Sequence, residues 1–152
     1  MPEQKTIERA REDAREGKSP STQAGEFVRE EMHHIREGKH GAASPKQAIA
    51  IGLSKARRAG VELAPPRKGK ASASTTKKAE QDYRKGQSHS NSKPSARRSR
   101  ATSSALKKEG RSAASHSALS RQARTAARNR GPAARSRSAK KASTTRKEAK
   151  AA

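Results

Sequence analysis

The sequence contains no cysteine and no tryptophan, and only one phenylalanine, Phe27, and one tyrosine, Tyr83. Without cysteine there is no disulfide framework, no thiolate metal site and no cysteine nucleophile. Without aromatic platforms, base stacking cannot carry recognition of RNA or single strands. Long apolar runs are missing as well. Nothing approaches the roughly 20 apolar residues that cross a bilayer. The opening Met1-Pro2-Glu3-Gln4-Lys5 has no signal-peptide core. The basic segments lack the bulky apolar face that inserts into lipid, so no membrane partner is expected. The expected compartment is the cytoplasm.

Acidic residues are scarce in the second half. Residues 1–64 carry 12 Lys/Arg and 10 Asp/Glu, a net of +2, whereas residues 65–152 carry 25 and 4, a net of +21. With 28% hydrophobic residues in 152, the chain has too little apolar surface for one domain of that length. Low hydrophobicity with high charge is the composition of disorder. A basic excess of this size points to a polyanionic partner.

Catalytic signatures are also missing. The glycines fit neither a phosphate-binding loop nor a dinucleotide fingerprint, and no Ser/His/Asp set stands out, so neither an enzyme nor a cofactor is expected. His33, His34 and His40 are the main histidine cluster. Adjacent helical histidines point about 100° apart, and no carboxylate in the pattern completes a ligand set, so no metal site is expected.

What the sequence does have is punctuation. Arg15-Glu16-Gly17-Lys18 returns as Arg36-Glu37-Gly38-Lys39, and each copy is followed by a Ser-Pro pair, Ser19-Pro20 and Ser44-Pro45. Gly just past a helix and Ser-Pro at a helix start predict stop and start signals. Helices are expected over about 3–16, 20–37 and 45–59, the last ended by Gly60. Ser44 and Gln47 have capping-box spacing. The expected core is Phe27, Val28, Met32, Ile35, Ile49 and Leu53. Gly25 is read as permitting a close backbone approach. Glu31 falls inside the apolar stripe of the second helix and Ile51 lies off that of the third, which makes both candidates for a homodimer or partner surface.

The blocks Ser19-Pro20-Ser21-Thr22-Gln23-Ala24-Gly25-Glu26-Phe27-Val28-Arg29-Glu30-Glu31 and Ile49-Ala50-Ile51-Gly52-Leu53-Ser54-Lys55-Ala56-Arg57-Arg58-Ala59-Gly60 resemble a family of short, basic, functionally uncharacterised bacterial proteins. The resemblance implies a bacterial source. It brings no activity and no site residues.

The expected architecture is all-α: a three-helix head over 1–63, a disordered basic linker over 64–100, a conditional Arg-rich helical segment over 101–130 and a disordered Lys/Ala/Ser-rich tail over 131–152 that looks like a linker-histone tail. Pro66-Arg67-Lys68-Gly69-Lys70 resembles the basic-Gly-basic core of a minor-groove hook. Arg121, Arg124 and Arg128 recur at i, i+3, i+7, an arginine stripe on one helix face.

These features predict a non-catalytic, nucleoid-associated protein that binds DNA backbone electrostatically, with RNA as the other polyanion. The expected phosphate contacts are Arg67, Lys68, Lys70, Arg97, Arg98, Arg100, Lys107, Lys108, Arg111, Arg121, Arg124, Arg128, Arg130, Lys140 and Lys141. If the second and third helices form a helix-turn-helix pair, Lys46, Gln47, Ser54, Arg57 and Arg58 are candidate groove contacts. The alternative is a protein-interaction or stress-maintenance module whose head docks a partner, with loose RNA or ribosome attachment by the tail.

Overall fold

The structure is a computed structural model of the chain and describes residues 2–67, 69–88 and 95–151. The described residues form seven α-helices in two compact units, Met1–Ser115 and His116–Ala152.

The first three helices are α1 (Gln4–Arg15), α2 (Pro20–Arg36) and α3 (Pro45–Arg58). Their ends follow local chemistry. Gly17, Gly38 and Gly60 take φ of 72°, 79° and 95°, the left-handed stop conformation. At the start of α3, Ser44 Oγ accepts the Gln47 N–H at 3.2 Å. Gln47 Oε1 reaches back to the Ala43 N–H at 2.7 Å, one residue before the cap. Ser19 does not cap α2 with its side chain; its hydroxyl meets those of Ser21 and Thr22 instead.

Phe27 and Ile35 are wholly buried, and Ala10, Ala24, Ala56 and Val61 close around Phe27 with Ile7, Leu53 and Leu63 packed on their edge. Burying one side chain of Phe or Ile size contributes about 1.5–3 kcal/mol. Small residues bring α2 and α3 together: a Cβ at Gly52 would lie 2.7 Å from Val28 Cα. Gly25, assigned that role from sequence, has no atom within 4 Å of where its Cβ would be.

The expectation of a three-helix head followed by a long, mostly disordered tail is overturned. Residues read as a disordered linker contain α4 (Ala73–Gln87), whose start is capped by Ser72 Oγ accepting the Thr75 N–H at 3.2 Å. α4 packs on α3 through its small residues. Ala79 and Gly86 are buried, and a Cβ at Gly86 would overlap the Arg57 carbonyl oxygen. Asp82 adds a charge anchor, 2.8 Å from Arg58 Nε and 2.6 Å from Ser54 Oγ.

The chain then returns to the α2–α3 loop. α5 (Ala96–Lys108) buries nothing along its length but is fastened at its C-terminal end. The Gly41 N–H donates to Leu106 O at 2.9 Å and the Ala42 N–H to Gly110 O at 3.1 Å. A 3-10 turn, Ser112–Ala114, buries Ala113 and Ala114, and Arg36 Nε donates to Ala114 O at 3.0 Å. The packed unit thus includes parts of both the linker and the segment expected to be only conditionally helical.

The second unit holds α6 (His116–Asn129) and α7 (Gly131–Ala151). The stretch read as a disordered tail is helical because Ala, Lys and Arg dominate it and its one proline, Pro132, sits in the first turn, where proline is tolerated. Neither helix has a fully buried residue among those described.

Two glycine substitutions contrast the tight α3–α4 contact with an open site on α2. Gly86→Ala is expected to destabilise the protein by roughly 1–3 kcal/mol, because backbone must move to admit the methyl. Gly25→Ala is expected to stabilise it by about 1 kcal/mol, since that site is open and helical. Urea unfolding of both variants reads the contrast, and a neutral Gly86→Ala would remove α4 from the packed unit.

Candidate functional site

The structure places the expected phosphate contacts on exposed surface. Arg67 and Lys70 lie on the connection before α4, and Lys68 falls outside the described residues. Arg97, Arg98, Arg100, Lys107 and Lys108 are exposed on α5. Arg111 is exposed and lays its guanidinium over Gly38. In the second unit Arg121, Arg124 and Arg128 share one face of α6, Arg130 follows it, and Lys140 and Lys141 stand on α7, all exposed. None of these cations is ion-paired with a carboxylate among the described residues.

The candidate groove contacts fare differently. Lys46 is exposed, and the other four make contacts within the fold, Arg58 from an exposed position. Gln47 caps Ala43. Ser54 and Arg58 hold Asp82. Arg57 is 7% exposed and donates to Leu63 O at 3.1 Å and Ala64 O at 3.3 Å. Burial pulls the Arg57 guanidinium below its ordinary pKa, against the opposing pull of Asp82. Ser54 and Arg58 are thus committed to α4 and Arg57 to the chain that follows α3, contacts that a recognition helix would have to give up to meet DNA.

Glu31 is not on a partner surface either. It is 0% exposed, and Ile51 is half-buried. Glu31 sits at the centre of a charged cluster built by α2, the α2–α3 loop and α3. Lys55 Nζ is 2.6 Å from Glu31 Oε2, and His40 Nε2 is 3.2 Å from Glu31 Oε1. Both contacts are short but poorly angled, so neither carboxylate oxygen is in a hydrogen bond. One turn along α2, His34 Nε2 lies 2.9 Å from Glu3 Oε1 and 3.8 Å from Glu30 Oε1. Glu30 is also buried, and its Oε2 has no hydrogen-bond partner. Glu3 is bridged further to Lys39 at 3.3 Å. Its carboxyl is held below the usual range, first by the His34 hydrogen bond and then by Lys39. Glu37, and then Glu3, raise the Lys39 ammonium.

Ligand atoms of Glu31, His34 and His40 all lie within 4.8 Å of one another. The expectation that no carboxylate completes a histidine set is therefore overturned. It rested on His33 and His34 as the chelating pair, whereas His33 is exposed and its place is taken by His40. The usable signal is Glu31-Met32-His33-His34, a Glu-x-x-His spacing that puts both ligands on one helix face. A cleft of about 230 Å³ opens beside the cluster, lined in part by Glu3, Arg9, Glu30, His34 and Lys39.

The fold and surface define an all-helical protein with a packed charged interior and exposed basic helices. Residues 15–68 are similar to a family of unknown function (DUF6496), a match that takes in α2 and α3. Comparison with curated proteins and with solved structures gave no match. No helix among the described residues is long and apolar enough to cross a membrane.

Proposed function

We propose that this chain is a non-catalytic nucleic-acid-binding protein that grips the phosphate backbone with α5, α6 and α7. DNA of a bacterial nucleoid is the first candidate and RNA the second. The observation that carries the reading is the separation of charges. The second unit, residues 116–152, has 11 Lys/Arg against one acid, Glu148, a net of +10. Among the described residues, the acids that neutralise cations lie at or before Asp82. Exposed cations with no internal partner bind polyanions by releasing condensed counterions, a term independent of sequence. With one Phe and one Tyr in the chain, and Phe27 buried, stacking adds nothing.

The test is a charge removal on the α6 stripe. The triple variant Arg121→Gln, Arg124→Gln, Arg128→Gln is expected to bind all duplex sequences more weakly by a similar factor. It should also flatten the slope of log affinity against log salt by about 2.7, at roughly 0.9 per lost phosphate contact. Fluorescence anisotropy at several salt concentrations reads both quantities. An unchanged slope would take α6 out of the interface.

A further inference from the structure

We propose that Glu31, His34 and His40 form a binding site for one divalent transition-metal ion of the zinc class. This site is separate from the basic helices and independent of nucleic-acid binding.

Tautomer chemistry makes the first argument. His40 Nδ1 lies 3.1 Å from Gly41 O. A carbonyl only accepts, so this contact puts the ring proton on Nδ1. The Nε2 of a neutral ring then carries no proton and lies 3.2 Å from Glu31 Oε1 without donating to it. Two acceptors this close repel unless a cation lies between them. A backbone carbonyl that takes the proton of one ring nitrogen and leaves the other free for a metal is also how metal-ligating histidines are oriented.

The second argument is the state of Glu31. It is wholly buried, and both oxygens lack a hydrogen bond. An ionised buried carboxylate needs compensation. Lys55 supplies it at Oε2 and leaves Oε1 facing the histidines. Glu30, buried with its own orphaned Oε2, adds further negative charge. Three carboxylates, Glu3, Glu30 and Glu31, thus surround two imidazoles and two ammonium groups, Lys39 and Lys55. With neutral histidines the cluster is left with a net charge of −1.

The third argument is geometry. His34 and His40 meet edge to face with ring centroids 6.1 Å apart. Ligands about 2.0–2.2 Å from a tetrahedral ion lie roughly 3.3 Å from each other, so side-chain rotations of about 1 Å gather the three donors. The loop carrying His40 is not free to wander. The two residues that follow it, Gly41 and Ala42, are bonded by their N–H groups to Leu106 and Gly110. The cleft beside His34 is the way in, and the fourth position is left to water or Glu30. Two imidazoles with one carboxylate select zinc-class ions over calcium or magnesium, which take oxygen donors.

The experiment is a titration of the metal-free full-length protein with ZnCl2, followed by calorimetry and by ¹⁵N spectra of the histidine rings. One Zn²⁺ per chain is expected at this site, with the ring nitrogens of His34 and His40 shifting together. Binding should weaken on acidification, because an imidazole must lose a proton to ligate. His34→Ala and His40→Ala are each expected to weaken affinity at least 10- to 100-fold. His33→Ala, on an exposed position, should leave it unchanged. Shifts confined to His33, His89 or His116, or equal affinity in the His34→Ala/His40→Ala double variant, would overturn the site. So would a wild-type protein that takes up no Zn²⁺, with a proton on His40 then balancing Glu31. The spectra of the wild type decide the matter even if a variant fails to fold.

Discussion

Raising the salt from 50 to 200 mM is expected to weaken binding of the full chain to duplex DNA about 1,000- to 100,000-fold, as it does for proteins making 6–10 phosphate contacts. The exposed cations are sufficient in number. α5 offers Arg97, Arg98, Arg100, Lys107 and Lys108, and the second unit offers 11 more. About ten engaged contacts give a slope of log affinity against log salt near −9 on duplex and near −7 on single strands. Neither α5 nor α6 has a buried residue, so little packing competes with phosphate for these side chains. A loss of less than tenfold across that salt range would mean that something other than charge holds the complex together.

Replacing Lys55 by Met should destabilise the first unit by about 3–5 kcal/mol, the range seen when one member of a buried ion pair is removed. Lys55 is one-fifth exposed, and Glu31, at 2.6 Å, is not exposed at all. The variant keeps the length of the side chain but leaves the wholly buried Glu31 without its ammonium partner. The double variant Lys55→Met/Glu31→Gln is expected to recover most of the loss, because the lone buried charge is gone. Guanidinium unfolding of the three proteins measures the cycle. A Lys55→Met loss under 1 kcal/mol would show Glu31 to be solvated. Zn²⁺ should partly rescue Lys55→Met, since an ion at Oε1 supplies the missing positive charge and ligands that bind only the folded state stabilise it.

The ends of α1, α2 and α3 were legible in the sequence because their signals act locally. A left-handed Gly at 17, 38 or 60 and a Ser-Pro start need no knowledge of the rest of the chain. Phe27, Met32 and Ile35 were legible as core for the same reason: helical period needs only one helix. α4 was not legible. It docks through Ala79 and Gly86, whose contribution is their smallness against the backbone of α3, and through Asp82, one acid in a basic stretch. Nothing in a Lys/Ser/Thr/Ala composition distinguishes such a face from solvated linker. Arg57 looked like a groove contact because a charged side chain is ordinarily exposed, and only its carbonyl partners at Leu63 and Ala64 explain its burial. Glu31 is the instructive case. Its misfit with the apolar stripe of α2 was visible, and local inconsistencies of that kind mark functional or strained positions. It was read as surface, because its partners, His40 and Lys55, come from two other elements.

The bonds from Gly41 to Leu106 and from Ala42 to Gly110 also set an order of events during synthesis. A chain emerging from the ribosome at about 5–20 residues per second offers α1, α2 and α3 first. The loop between α2 and α3 still lacks its backbone acceptors until residues some 65 positions downstream have been made. Contacts that distant in sequence carry a loop-closure penalty that slows folding. A nascent chain halted near residue 65 would therefore hold formed helices around an unfinished loop, and that loop would close only once the basic helices had begun to leave the exit tunnel.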